Sequence, residues 1–321
     1  MKHVLSLAIA VASLVFAHPA FAQSVTDQES IAEIPYRLRY QGWITVDGTV
    51  NDQGPHHFIV DSGATITSVF ENLSRTQEFI PADRADIRIL GLSGAQALPA
   101  YEIGTIDFNG ERLDEHVGVI LPDWLPPNVP PQGVLGLDFL VRYKVHIDAN
   151  HRLIRLYPPD SDVRPNQKGW SRTALRPISI TENATPLHTV KVQVRGAYIS
   201  CIVDLGASGT IFNKAALRAM SAGLRVNVDR GGGMTTGSRI NDIFDNTARV
   251  LPIKITRLRI GQAIWRNKIF LVYDAPIFAE LKKSTRPFCL LGADLFADRS
   301  IMFDFDDEKL YIGPVRGSTT G

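Results

Sequence analysis

The sequence predicts an all-β protein built from two related lobes, with few and short helices. Three observations predict it. Residues 58–67 (FIVDSGATIT) and 201–210 (CIVDLGASGT) superpose without a gap at an offset of 143 residues. Residues 135–148 and 291–304 do the same at an offset of 156, sharing Leu, Gly, Asp138/Asp294 and Asp148/Asp304. Between these motifs the chain is mostly short β-branched runs punctuated by Gly, Asn, Asp and Pro, the pattern of strands and turns. Two long copies are a duplication, not a solenoid.

Residues 1–22 read as lying outside the fold. Lys2 and His3 precede an uncharged apolar run over 4–17, and Ala20-Phe21-Ala22 closes it with a small-x-small cleavage pattern. The run is shorter than the ~20 residues of a spanning helix, so it reads as a secretory signal peptide and not an anchor. The expectation is an exported protein, periplasmic or secreted, with no integral membrane segment after cleavage. Residues 23–33 are polar and would suit a pro-segment, although nothing marks a processing site. The first lobe is assigned to 23–160, a Pro-, Asp-, Ser-, Asn- and Lys-containing linker to 161–169, and the second lobe to 170–321.

Within the lobes, strands are expected at 44–46, 58–60, 87–90, 117–120 and 153–157, then at 190–194, 269–272, 301–305 and 310–312. At 190–194 valine alternates with Lys191 and Gln193, the period of a half-buried strand. Helical pattern is brief, at 71–79, at 213–220 and after Gly136 and Gly292. Removal of Lys2 leaves 33 basic against 33 acidic side chains, and no run of basic residues stands out. Nucleic acid is therefore not an expected partner, and electrostatic capture of a charged substrate has no support. The two cysteines, Cys201 and Cys289, do not make a disulfide-dependent scaffold. No Cys/His spacing suggests zinc, so no metal or other cofactor is expected.

The chemistry lies in the repeated turn. Asp61 and Asp204 each follow an apolar β-branched strand, which puts each carboxyl at the end of a buried strand. Gly63 and Gly206 remove the neighbouring side chain and let a second backbone approach. Two acids brought together in this way cannot both ionise; one stays protonated while the other acts as base. Such a pair activates water without a covalent intermediate.

Val60-Asp61-Ser62-Gly63-Ala64-Thr65 and Val203-Asp204-Leu205-Gly206-Ala207-Ser208, each followed by an apolar pair and glycine (Val134-Leu135-Gly136; Leu290-Leu291-Gly292), resemble the aspartic peptidases of the retropepsin/pepsin type. The form is the two-lobed single chain of exported bacterial proteins. The resemblance implies a bilobal acid-protease, double-β-barrel-like fold, with Asp61 and Asp204 catalytic. Ser62, Gly63, Thr65, Gly206 and Ser208 would form the supporting loops. It also implies flaps, for which Gly91-Leu92-Ser93-Gly94 and Gly231-Gly232-Gly233-Met234 are the candidates. The triple glycine lacks the Gly-Lys-Ser/Thr of a phosphate loop. The strands carrying Cys201 and Cys289 run side by side in the family, so the two either pair or stay separate thiols.

One position departs from the pattern. The family usually has Ser or Thr after each catalytic Asp, bonding across to the opposite loop; Ser62 can do this and Leu205 cannot. The resemblance nonetheless implies an endopeptidase acting on extended polypeptide, a monomer with both lobes in one chain. The alternatives are a catalytically weakened or inactive peptide-binding module and, last, a structural or envelope-associated β protein with no cleft function. Among other features, the Pro-rich stretch 122–127 reads as a stiff surface loop. Asp138, Asp294, Asp148 and Asp304 read as caps and turn formers. Asn72-Leu73-Ser74 and Asn183-Ala184-Thr185 fit the glycosylation pattern.

Overall fold

The computed structural model describes residues 29–39, 42–123, 130–165, 169–180, 184–221, 238–241 and 247–316. The signal segment, Gly231, Gly232, Gly233 and Met234, and most of the Pro-rich stretch lie outside the described residues.

In the first half the chain runs β1 (Ala32–Arg39), β2 (Trp43–Val50), β3 (Gln53–Val60), β4 (Ser68–Phe70), α1 (Glu71–Ser74), β5 (Ile80–Pro81), β6 (Ile87–Gly91), β7 (Gly94–Leu98), β8 (Ala100–Phe108), β9 (Glu111–Leu121), β10 (Gly133–Leu135), α2 (Leu137–Leu140), β11 (Lys144–Asp148) and β12 (Leu153–Tyr157). The second half runs β13 (Ser171–Ala174), β14 (Arg176–Ile178), β15 (Leu187–Val194), β16 (Ala197–Val203), β17 (Ile211–Phe212), α3 (Lys214–Met220), β18 (Ser238–Asn241), β19 (Thr247–Ile260), β20 (Ala263–Val272), α4 (Pro276–Glu280), β21 (Phe288–Leu291), a 3-10 turn (Ala293–Leu295), β22 (Arg299–Asp304) and β23 (Lys309–Val315). The fold is the expected all-β, bilobal double-barrel type, with four short α-helices among the described residues. None is long and apolar enough to cross a membrane.

The lobes are joined by a run of six strands in the order β13-β23-β22-β11-β12-β1, three from each half, which continues through β2 as part of one 13-stranded sheet. At its centre β11 and β22 pair antiparallel, with His146 opposite Met302. These two residues are equivalents in the repeat (an offset of 156), so a pseudo-twofold axis passes between them. β11 and β22 are buried along their whole length, and their polar side chains must therefore find partners inside the protein. Lys144 Nζ lies 3.1 Å from Asp304 across the lobe boundary and also donates to the Ser161 carbonyl. At the mirrored position Ser300 Oγ lies 3.5 Å from Asp148. His146 is different: neither ring nitrogen has a hydrogen-bond partner among the described residues, and burial pulls its pKa down to about 4. Asp148 and Asp304 also form turns, accepting from the N–H groups of Asn150 and Asp307.

Local sequence accounts for most elements. In β15, buried Val190, Val192 and Val194 alternate with outward Lys191 and Gln193. Asn213 caps α3 by accepting from Ala216 N–H at 2.7 Å, the role Asn favours at a helix start. The helix expected over 71–79 is shorter, ending at Ser74. The N–H groups of Thr76 and Gln77 both turn back to the Leu73 carbonyl and close it. α4 was not foreseen; Pro276 opens it, where the missing N–H costs nothing. Residues of the expected linker pack onto the shared sheet, with Val163 buried against Tyr157 and Met302.

A continuous apolar cluster runs through both lobes. In the first lobe Phe58, Phe108 and Phe139 stack edge to face at 5.1 and 5.3 Å. In the second lobe β16 and β21 run parallel with Cys201 opposite Cys289. The two are joined in a disulfide, Cα–Cα 4.4 Å, which decides between the two states left open by the sequence.

Candidate active site

Each lobe delivers its aspartate by the same device. β3 ends at Val60 beside parallel β10, and Asp61 N–H donates to the Leu135 carbonyl at 2.9 Å. β16 ends at Val203 beside parallel β21, and Asp204 N–H donates to the Leu291 carbonyl at 2.9 Å. The apolar pair before glycine in each half is therefore the strand that clamps the aspartate turn of its own lobe.

The two turns meet at the axis, and each carboxyl lies over the glycine of the other. A β-carbon on Gly63 would collide with the Asp204 carboxyl, and one on Gly206 with that of Asp61. This close approach is why glycine is required at both positions. Asp61 Oδ1 accepts from Gly63 N–H at 2.6 Å and, across the lobes, from Gly206 N–H at 3.1 Å. Asp204 Oδ1 accepts from Ala207 N–H at 2.8 Å. The carboxyls also hydrogen-bond one another.

The environments of the two acids differ. Burial raises the pKa of Asp61, and the backbone N–H of Gly63 and the Asp204 hydrogen bond pull it back. Asp204 is raised well above the carboxylate range, first by burial and then by the negative charge of Asp61. Both acids are thus shifted towards the protonated form, Asp204 further than Asp61, and the pair holds a proton between them. Like charges in contact force this sharing.

Ser62 is 2% exposed. Its hydroxyl donates to the Val203 carbonyl at 2.9 Å and accepts from Leu205 N–H at 3.2 Å, tying the first turn to the second. Leu205, its equivalent, is buried in the apolar cluster and returns no such bond. The crossing lock is one-sided.

Thr65 and Ser208 lie half-buried in their turns. The side chains that anchor the turns are Thr67 and Thr210, buried and equivalent in the repeat. Thr67 Oγ1 donates to Asp138 at 2.7 Å and accepts from Gly136 N–H at 3.0 Å. Thr210 Oγ1 donates to Asp294 at 2.8 Å and accepts from Gly292 N–H at 3.0 Å. Asp138 and Asp294 thus bind threonine more than they cap helices. Their recurrence in both halves was the available signal. The groups behind them differ: His116 in the first lobe contacts the Thr67 carbonyl at 2.8 Å and lies 3.9 Å from Asp138. In the second lobe burial raises Asp294 to about 6, with Lys268 and Thr210 opposing. No repeat marks His116, and the sequence could not single it out.

Gly91-Leu92-Ser93-Gly94 forms the tip of the β6–β7 hairpin. Gly94 has φ +130°, a conformation that favours glycine. A β-carbon there would lie 3.7 Å from Pro276 at the start of α4. Arg88 pairs with Glu280 at 2.7 Å at the other end of α4. Ile87, Ile89 and Leu98 pack on Phe70, Val119 and Leu121, so the hairpin is rooted in the first lobe and rests on the second.

No curated protein matches the chain. Residues 46–139 match the model of a family described as aspartyl protease, a segment that includes Asp61, the β6–β7 hairpin and Gly136 but stops before the second half. The match, the duplicated turns and the two β lobes together give the chain an aspartic-protease-like fold.

Proposed function

We propose that the protein is an exported aspartic endopeptidase, periplasmic or secreted, of the two-lobed single-chain retropepsin/pepsin type, which hydrolyses peptide bonds in extended polypeptides. One observation carries the reading: each of two buried carboxyls is seated on the glycine of the opposite lobe, close enough to share a proton. A water held between them loses a proton to Asp61 as its oxygen attacks the peptide carbonyl carbon. Asp204 gives its proton to the carbonyl oxygen, so the tetrahedral intermediate forms neutral. Its collapse protonates the amide nitrogen, breaks the C–N bond and returns the dyad to one shared proton. The β6–β7 hairpin would cover the substrate and supply strand-like hydrogen bonds to it.

The pH dependence follows from the pair. Activity needs one proton on the dyad, so it falls as pH rises through the pair's upper titration and again as pH falls through its lower one. The test uses purified mature protein with unfolded substrates beside Asp61→Asn and Asp204→Asn. The reading requires cleavage that both variants lose and that a statine-type transition-state mimic blocks. Turnover that survives either variant rejects it. Leu205 favours a second reading, a peptide-binding module with weakened catalysis; peptide binding with no turnover from acid to neutral pH would select it.

A further inference from the structure

The β8–β9 and β19–β20 hairpins are equivalent parts of the two lobes. β8 pairs with β2 as β19 pairs with β15, and β9 runs parallel to β4 as β20 runs parallel to β17. Their charges are opposite. Residues 100–121 carry five acids (Glu102, Asp107, Glu111, Asp114, Glu115) and one arginine, Arg112. Residues 247–272 carry six Lys or Arg and no acid, and β15 and β16 carry no acid either. The near-neutral total hides a molecule with an acidic lobe and a basic one.

Strand register gathers the second-lobe cations. Tyr198, Gln193, Arg259 and Ile264 form one row across β16, β15, β19 and β20. Two residues further along that face Arg257 stands opposite Arg266, and two residues the other way Lys191 stands opposite Ser200. The other face of the same strands is core, with Val192, Val194, Leu258, Ile260 and Trp265 buried. Tyr198 is 64% exposed. Lys191, Arg257, Arg259 and Arg266 make no ion pair with any described residue, whereas Arg37, Arg75, Arg88 and Arg155 all do. Arginine directly opposite arginine on a sheet is unfavourable by itself, and an anion from outside offsets it.

We propose that this outer face of the second lobe docks on an anionic lipid surface. The cations are spread over neighbouring strands about 5 Å apart, a planar array suited to headgroups, and an exposed tyrosine among them is a side chain suited to the membrane–water boundary. The acidic hairpin, on the far side of the pseudo-twofold axis, is repelled by the same surface and sets the orientation.

The test is partitioning of the mature protein onto phosphatidylglycerol–phosphatidylcholine vesicles against phosphatidylcholine alone, by co-sedimentation over a salt series. Binding should require phosphatidylglycerol and weaken steadily with salt. Each neutralised cation weakens partitioning about fivefold, so Arg257→Gln with Arg266→Gln lowers it about 25-fold at unchanged thermal stability. Arg37→Gln with Arg112→Gln, an equal charge change on the first lobe, should leave it within about twofold. Binding that ignores salt, equal binding to neutral vesicles, or an equal loss in the first-lobe control overturns the proposal. So does tight binding to heparin or DNA with none to vesicles, which would assign the face to a soluble polyanion.

Discussion

Replacing Ser62 by alanine tests the one-sided lock between the lobes. The hydroxyl makes two buried bonds to the opposite turn, one donated to Val203 and one accepted from Leu205. Their removal strands a carbonyl and an amide, each costing about 1–3 kcal/mol when left unsatisfied. Water entering the vacated space returns part of this, so the expected loss is about 2–4 kcal/mol. In a chain of this size that lowers the melting temperature by roughly 5–12 °C. The same bonds hold the two turns in register, so an ångström of slack at the dyad should reduce kcat about 10- to 100-fold. Urea unfolding reads the first effect and peptide cleavage the second, with Ser62→Thr as the variant that keeps the hydroxyl and should retain both. Leu205→Thr restores the missing hydroxyl but removes apolar packing from the core, so its stability should change little while kcat rises. If Ser62→Ala unfolds within about 0.5 kcal/mol of wild type, the range of an ordinary surface change, the crossing bonds do not hold the lobes together.

The remaining predictions concern the sheet, the disulfide and the hairpin. His146 titrates near 4 in the folded protein, below its usual 6.5, so the unfolded chain protonates first as pH falls. Stability is full above about pH 6.5 and about 3 kcal/mol of it is lost on the way down to pH 4. His146→Met, which copies the residue at the equivalent position 302, should flatten the fall in urea midpoint between neutral and acid pH; an unchanged slope counts against the assignment. Cys201→Ser with Cys289→Ser releases an 88-residue loop and should cost about 4 kcal/mol by calorimetry or denaturant, and a variant as stable as wild type under non-reducing conditions excludes the bond. Arg88→Ala or Glu280→Ala removes an exposed ion pair worth at most about 1 kcal/mol, so KM should shift no more than about fivefold with folding stability intact. A collapse in stability instead would make the hairpin a structural strut.

The division between sequence and fold is visible at particular residues. The dyad, its two glycines, the clamping strands and the lone hydroxyl of Ser62 were legible because each is written in a short motif that occurs twice. Turn chemistry and the two-residue period of a strand act over a few neighbours, and duplication repeats them at readable offsets. Thr67 and Thr210 were visible as repeated letters without a role, since that role depends on Asp138 and Asp294, about seventy to eighty residues away. The docking of Gly94 against Pro276, the bond between Cys201 and Cys289, the isolation of His146 and the gathering of Lys191, Arg257, Arg259 and Arg266 onto one face were decided only by tertiary structure. Each depends on which strands become neighbours and in what register. That choice is made by burial of the whole core, where shifting a strand by one residue would turn its apolar side outward.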